Sequence, residues 1–159
     1  QGPMLPGCRN VSATDATEEF TVGSYLPTYG SVWQEGIVLP DPPVFCRSYP
    51  VMESDVTAGV LAVFDEVLRP LGYDFAFDES RGLLQTDYVV QEHEMARWRD
   101  RFTVTIVALE SHRTVVSVQR EVEIMRKHGS TRPAYYPGVS VGRNEAWILN
   151  AVGRQLGAE

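Results

Sequence analysis

Tyr73-Asp74-Phe75-Ala76-Phe77 alternates large apolar residues with small or polar ones without a break, and Asp78-Glu79-Ser80-Arg81-Gly82 follows it. Alternation at period two marks a strand with one buried face. A run of turn-forming residues ending in Gly marks a hairpin. Leu84, Thr86, Tyr88 and Val90 carry the alternation onto a returning strand. Two longer alternating runs come next. In Arg99–Leu109, Phe102, Val104, Ile106 and Ala108 share one face, while Arg101, Thr103, Thr105 and Val107 share the other. Glu110-Ser111-His112-Arg113 turns the chain, and Thr114–Met125 presents Val116, Val118, Val122 and Ile124 on one side. Arg120 falls in register with that apolar row, a conflict that a bulge or an edge position would resolve. Four strands joined in sequence predict an antiparallel meander.

Helices flank the meander. Val56, Val60, Phe64, Val67 and Leu71 recur at helical spacing and predict a long helix over about 54–71. Ser54 reads as its N-cap, and Gly72 suits the position just past its end. Trp147, Ile148, Ala151, Val152 and Leu156 make the apolar side of a C-terminal helix over about 143–156. Phe45, Arg47, Tyr49 and Val51 alternate as a further strand before the long helix. Residues 91–98 read as a loop or short helical excursion, and 127–142, rich in Gly, Pro and Tyr, as a long loop. The expected fold is α+β, an antiparallel sheet of four to five strands with both helices on one face.

Upstream the composition changes. Residues 1–24 read as a flexible tether, because 9–24 hold too few large apolar residues to offset the entropy of ordering them. Residues 25–43 are broken by prolines and glycines, yet Tyr25, Tyr29 and Trp33 are too apolar for a free linker, and a strand near Val32–Leu39 is expected. They read as an extension packed on the α+β domain of 44–159. Leu5-Pro6-Gly7-Cys8 resembles the lipobox of bacterial lipoproteins. That resemblance implies a lipidated Cys8, a membrane anchor and an envelope location facing the periplasm. If Cys8 carries lipid, Cys46 is left as a buried thiol; in oxidising conditions the two could instead form a disulfide.

The residues offer little chemistry. The formal charge of −7 disfavours a nucleic-acid backbone, so no nucleic-acid partner is expected. His93, His112 and His128 do not combine into a metal-ligand spacing, and Glu92-His93-Glu94 points its side chains apart. No nucleophile elbow, phosphate loop or dinucleotide fingerprint occurs. No catalytic residue, metal or cofactor is therefore expected. Binding is better represented. Arg97, Arg99 and Arg101 would share one face of a strand beside Trp98, with Asp87, Glu92 and Glu94 as the natural pairing partners. Tyr25, Tyr29, Trp33, Tyr135 and Tyr136 supply aromatics that could meet them in a docking surface.

The helix over 54–71, Gly72-Tyr73, the Asp78–Gly82 hairpin and Leu83-Leu84-Gln85-Thr86-Asp87 together resemble small domains of envelope lipoproteins, and are similar in order to the BamC/NlpB group of β-barrel assembly lipoproteins. That resemblance implies a non-enzymatic domain binding other envelope proteins. Two alternatives stand beside this reading. One is a carrier of a small apolar ligand, with Tyr73, Phe75, Phe77 and Tyr88 lining a sheet–helix pocket. The other is a hydrolase built on clustered carboxylates.

Overall fold

The computed structural model describes residues 7–13, 41–93, 96–125 and 135–157. The strands are β1 (Cys8–Asn10), β2 (Val44–Tyr49), β3 (Phe75–Asp78), β4 (Leu83–Thr86), β5 (Val89–His93), β6 (Ala96–Glu110), β7 (Arg113–Met125) and β8 (Tyr135–Gly138). The helices are α1 (Glu53–Val63) and α2 (Arg143–Leu156). The strands form one sheet in the order β1-β2-β7-β6-β4-β3, with β5 also on β6 and β8 also on β7. Among the described residues, only β1 and β2 run parallel; every other pair is antiparallel. Among the described residues, eight strands replace the expected four to five. The α+β class and the two helices are as expected.

The long β6–β7 hairpin is the spine of the sheet. Its turn end is flanked by β4 and β2, and its far end by β5 and β8. The extra strands come from one expected strand that breaks in two and from segments that alternation alone left unassigned. The return after the first hairpin breaks in two because the Thr86 hydroxyl accepts the Phe102 N–H at 2.9 Å, replacing a ladder bond. The Asp87 N–H turns to the Asp74 carbonyl instead. Pairing resumes at Val89 and runs to His93, so residues 91–93 and 96–98 form a hairpin rather than a helical excursion. Within the expected loop, Tyr135–Gly138 pairs with Val122–Met125.

The beginning of the expected tether is also structured. Cys8–Asn10 forms β1, Val11 is buried in the core, and its N–H donates to the Cys46 carbonyl at 2.9 Å. Cys8 and Cys46 are joined as a disulfide, with Cα atoms 5.8 Å apart, inside the range that geometry requires. Asn150 donates to the Ser12 carbonyl at 2.9 Å. These contacts outweigh the polar composition that suggested a tether. The rest of 1–24, and the strand expected near Val32–Leu39, lie outside the described residues.

Both helices cover one face of the sheet. Val56, Val60, Phe64 and Leu68 of the first helical segment meet Ile148, Leu149 and Val152 of α2 over Phe102, Val104, Ile106, Val116 and Val118. Fully burying each large apolar side chain contributes roughly 1.5–3 kcal/mol. The first helix is less regular than its periodicity suggests. It starts at Glu53 behind an extended Met52, so Ser54 lies inside the first turn and makes no cap; Glu53 and Asp55 supply negative charge there instead. Residues Phe64–Leu68 form a wide π turn and Arg69–Leu71 a tight 3₁₀ turn. Pro70 has no N–H to offer residue 66, and the widened turn before it accommodates the loss. Gly72 closes the segment at φ 101°.

Candidate functional site

Alternation along β6 sorts its residues between two chemically different faces. Trp98, Asp100, Phe102, Val104 and Ile106 point to the helices and are buried. Arg97, Arg99 and Arg101 point outward. Trp98 is 1% exposed and therefore drops out of the expected docking surface: it occupies the inner face by the same parity that aligns the arginines outside.

The inner face holds the largest surprise. Arg120 is neither on a bulge nor at an edge; it sits inside the core, 1% exposed, with its Nε donating to Asp100 Oδ2 at 2.6 Å. Tyr73 and Gln91 donate to Asp100 Oδ1 at 2.7 and 2.8 Å. Burial, reinforced by the Asp100 charge, pushes the Tyr73 hydroxyl far up, so it stays a donor. From α2, the buried Glu145 accepts from Ser140 Oγ at 3.1 Å. Burial raises its carboxyl from 4.5 to about 7, although the Arg120 charge and the Ser140 bond pull the other way. Asp100, Glu145 and Tyr73 are each fully buried, so this network lies inside the core. Its geometry suits fixing α2 on the sheet. A buried ion pair of this kind is poor evidence for stability, but it penalises every packing that separates the partners.

The outer face at the β5–β8 end is the more accessible arrangement. Arg99 Nε lies 2.6 Å from Glu123 Oε1, and Arg101 Nη2 lies 3.0 Å from Glu121 Oε2. Arg97 pairs with Glu92 across the β5–β6 hairpin. The Arg99 and Arg101 guanidiniums stand 4.5 and 4.7 Å from the Tyr88 ring centroid. Each ion pair adds only ~0–1 kcal/mol, and each cation–π contact about 0.5–1 kcal/mol at an exposed site. Their effect is to hold long side chains in one geometry. Val90, opposite Arg99 in the ladder, is 54% exposed, and Pro137, opposite Glu123, is exposed as well.

The structure thus gathers Arg97, Arg99 and Arg101 with Tyr88, moving Tyr88 from the expected pocket to the outer face. Glu92 is a partner as expected, whereas Asp87 is not; Glu121 and Glu123 on β7 take that role. They were missed although Glu121-Val122-Glu123 repeats the parity of the arginines, because hairpin register was needed to set the two rows side by side. Through β8 the backbone also brings Tyr135 opposite Met125 and Tyr136 opposite Ile124. Tyr25, Tyr29 and Trp33 lie outside the described residues, as do Glu94 and His128.

Among the described residues, the expected pocket liners divide between the core, a cleft and the outer face. Tyr73 packs edge-on against Phe102 at 5.2 Å, and Phe75 against Phe64 at 6.0 Å, inside a filled core. Among the described residues, Phe77 lines a cleft of about 540 Å³, shared with Glu53, Thr57, Glu79, Arg81 and Ile106. Among the described residues, no three His, Cys, Asp or Glu side chains come together as a metal would require, and no helix is long and apolar enough to cross a membrane.

No family profile matches the chain, and no curated protein matches it. The chain is similar in structure to a TBP-like protein from Parabacteroides distasonis, at TM-score 0.40 and 5% identity over 63% of this chain and 69% of that one. It is also similar to a DUF4468 family protein from Bacteroides ovatus, at TM-score 0.39 and 13% identity over 75% of this chain and 83% of that one. Likeness this remote assigns nothing to the chain.

Proposed function

We propose that this chain is a non-enzymatic protein-interaction module of an oxidising, extracytoplasmic compartment, the bacterial envelope, and that it docks through the outer face of β5–β8. One observation carries the reading: two outward arginines on β6 are held by glutamates on β7 and by the Tyr88 ring, beside an exposed Val90. A preordered mosaic of charge and apolar surface suits a protein partner, because little side-chain entropy remains to be lost on docking. The Cys8–Cys46 disulfide supports the compartment, since such bonds persist outside the reducing cytosol. A diacylglyceryl thioether would need the same Cys8 sulfur, so the lipid anchor suggested by Leu5–Cys8 and the fastened β1 exclude each other. The disulfide-bonded form is the one we propose to be active.

The test is site-specific photo-crosslinking in a bacterial envelope, with the photoreactive residue at Val90 or, as a control on another surface, at Val141, which is 48% exposed. Protein adducts at position 90 that disappear in an Arg99→Glu/Arg101→Glu chain are expected. Adducts only at position 141, or equal yields at both, would overturn the docking face.

A further inference from the structure

The outer row that crosses the four strands at Arg99 reads Val90, Arg99, Glu123, Pro137. In chemical terms it is apolar, positive, negative, apolar. The next row repeats the central motif with Arg101 and Glu121. A two-fold axis running along the strands, between two such sheets and above the seam of β6 and β7, reverses the row. It sets Arg99 of one copy over Glu123 of the other, and Val90 over Pro137. Every position of this row meets its complement, as an isologous contact demands, while in the row at Arg97 the same axis sets Arg97 over Met125. We infer that the partner of this face is a second copy of the chain, packed sheet to sheet with β6 over β7. This rests on the outer face being the docking surface.

Three further observations agree. The chain carries a net charge of −7, which opposes self-association in general. In the two central rows, however, two arginines balance two glutamates, so the approaching surfaces are locally neutral. The four side chains keep about a third of their surface open, at 33% and 28% for Arg99 and Glu123 and 31% and 30% for Arg101 and Glu121. Each therefore retains acceptor or donor capacity toward a second partner above it, and a guanidinium has five N–H groups to share. Finally, twisted sheets pack face to face in the aligned mode without distortion. Four strands stand side by side at Arg97–Asp100 of β6, which at ~4.8 Å spacing and ~3.3 Å rise span on the order of 250 Å² per copy. Two copies would bury about 500 Å² there, below the usual size of a stable specific interface, so the dimer is a weak, reversible one.

The experiment uses the oxidised full chain and two charge variants, Arg99→Glu/Arg101→Glu and Glu121→Arg/Glu123→Arg. Mass is measured by light scattering across a concentration series, and circular dichroism and thermal unfolding verify that each variant folds. The parent is expected to approach twice its monomer mass at high micromolar concentration. Each variant alone, now presenting one sign of charge, is expected to remain monomeric, and an equimolar mixture to recover the doubled mass. A parent that stays monomeric throughout overturns the inference, as does a dimer that neither variant weakens, or a mixture of folded variants that does not associate. Its failure is separable from that of the docking face. A monomeric chain that still crosslinks to a different protein from position 90 removes the self-partner and leaves the face.

Discussion

Glu145 shows how one buried side chain couples this fold to pH. Its carboxyl titrates near 7 when folded against an ordinary 4.5, chiefly because it is buried. The folded state therefore holds this proton more tightly than the unfolded state. The contribution to stability is fully present below about pH 4.5 and is lost as pH rises through 7, costing about 3 kcal/mol by pH 8. Urea unfolding at pH 5 and pH 8 should reveal that slope, and Glu145→Gln should flatten it. An unchanged slope in the variant would place the titration elsewhere. Arg120 and Asp100 belong to the same scale. In the sequence Arg120 is visible only as an error in an apolar row, and Asp100 as one acid among arginines. Pairing them required β6 and β7 in register, with Phe102 directly opposite Arg120.

Among the elements, helices were the more legible. α2 runs over Arg143–Leu156, as its apolar spacing indicates, and ends at Gly157 with φ 68°. Strands of clean alternation were legible too, and β3 and β6 lie where period two puts them. The short strands were not, because β5 and β8 hold polar residues or Pro and owe their extended form to the neighbours they pair with. The hairpin joining β3 and β4 shows how tightly such pairing is drawn. Gly82 has φ 60°, and a Cβ there would lie 2.5 Å from the Ile106 carbonyl oxygen, whose own N–H donates to the Gly82 carbonyl. Gly82→Ala combines a strained conformation with a backbone clash and should cost about 2–3 kcal/mol. Thermal unfolding measures it, and a cost below about 0.5 kcal/mol would mean that the turn relaxes freely.

For the whole molecule, the disulfide decides whether the N-terminal strand belongs to the fold. Cys8 and Cys46 are 38 residues apart in sequence, and closing a loop of that length in the unfolded chain is worth about 3–4 kcal/mol. Cys46→Ser should lose about that much in denaturant unfolding, and reduction of the parent should match it. Alkylation without reductant should leave the parent mass unchanged. A mature chain that begins with an acylated Cys8 and has an alkylatable Cys46 would remove the disulfide and restore the membrane anchor.

The pattern of residues alone carried the α+β class, the two helices, the central hairpins and the alignment of three arginines on one face. All of these follow from periodicity, which is a property of neighbours along the chain. The eight-strand sheet, the capture of Cys8–Asn10, the burial of Arg120 with Asp100 and the pairing of arginines with Glu121 and Glu123 came from long-range contacts. Apart from the β5 and β8 ladders, each joins residues that are about twenty or more apart in sequence, and short-range spacing holds no information about which of them will meet. Their partners are chosen by strand register and by the cost of leaving a buried charge alone.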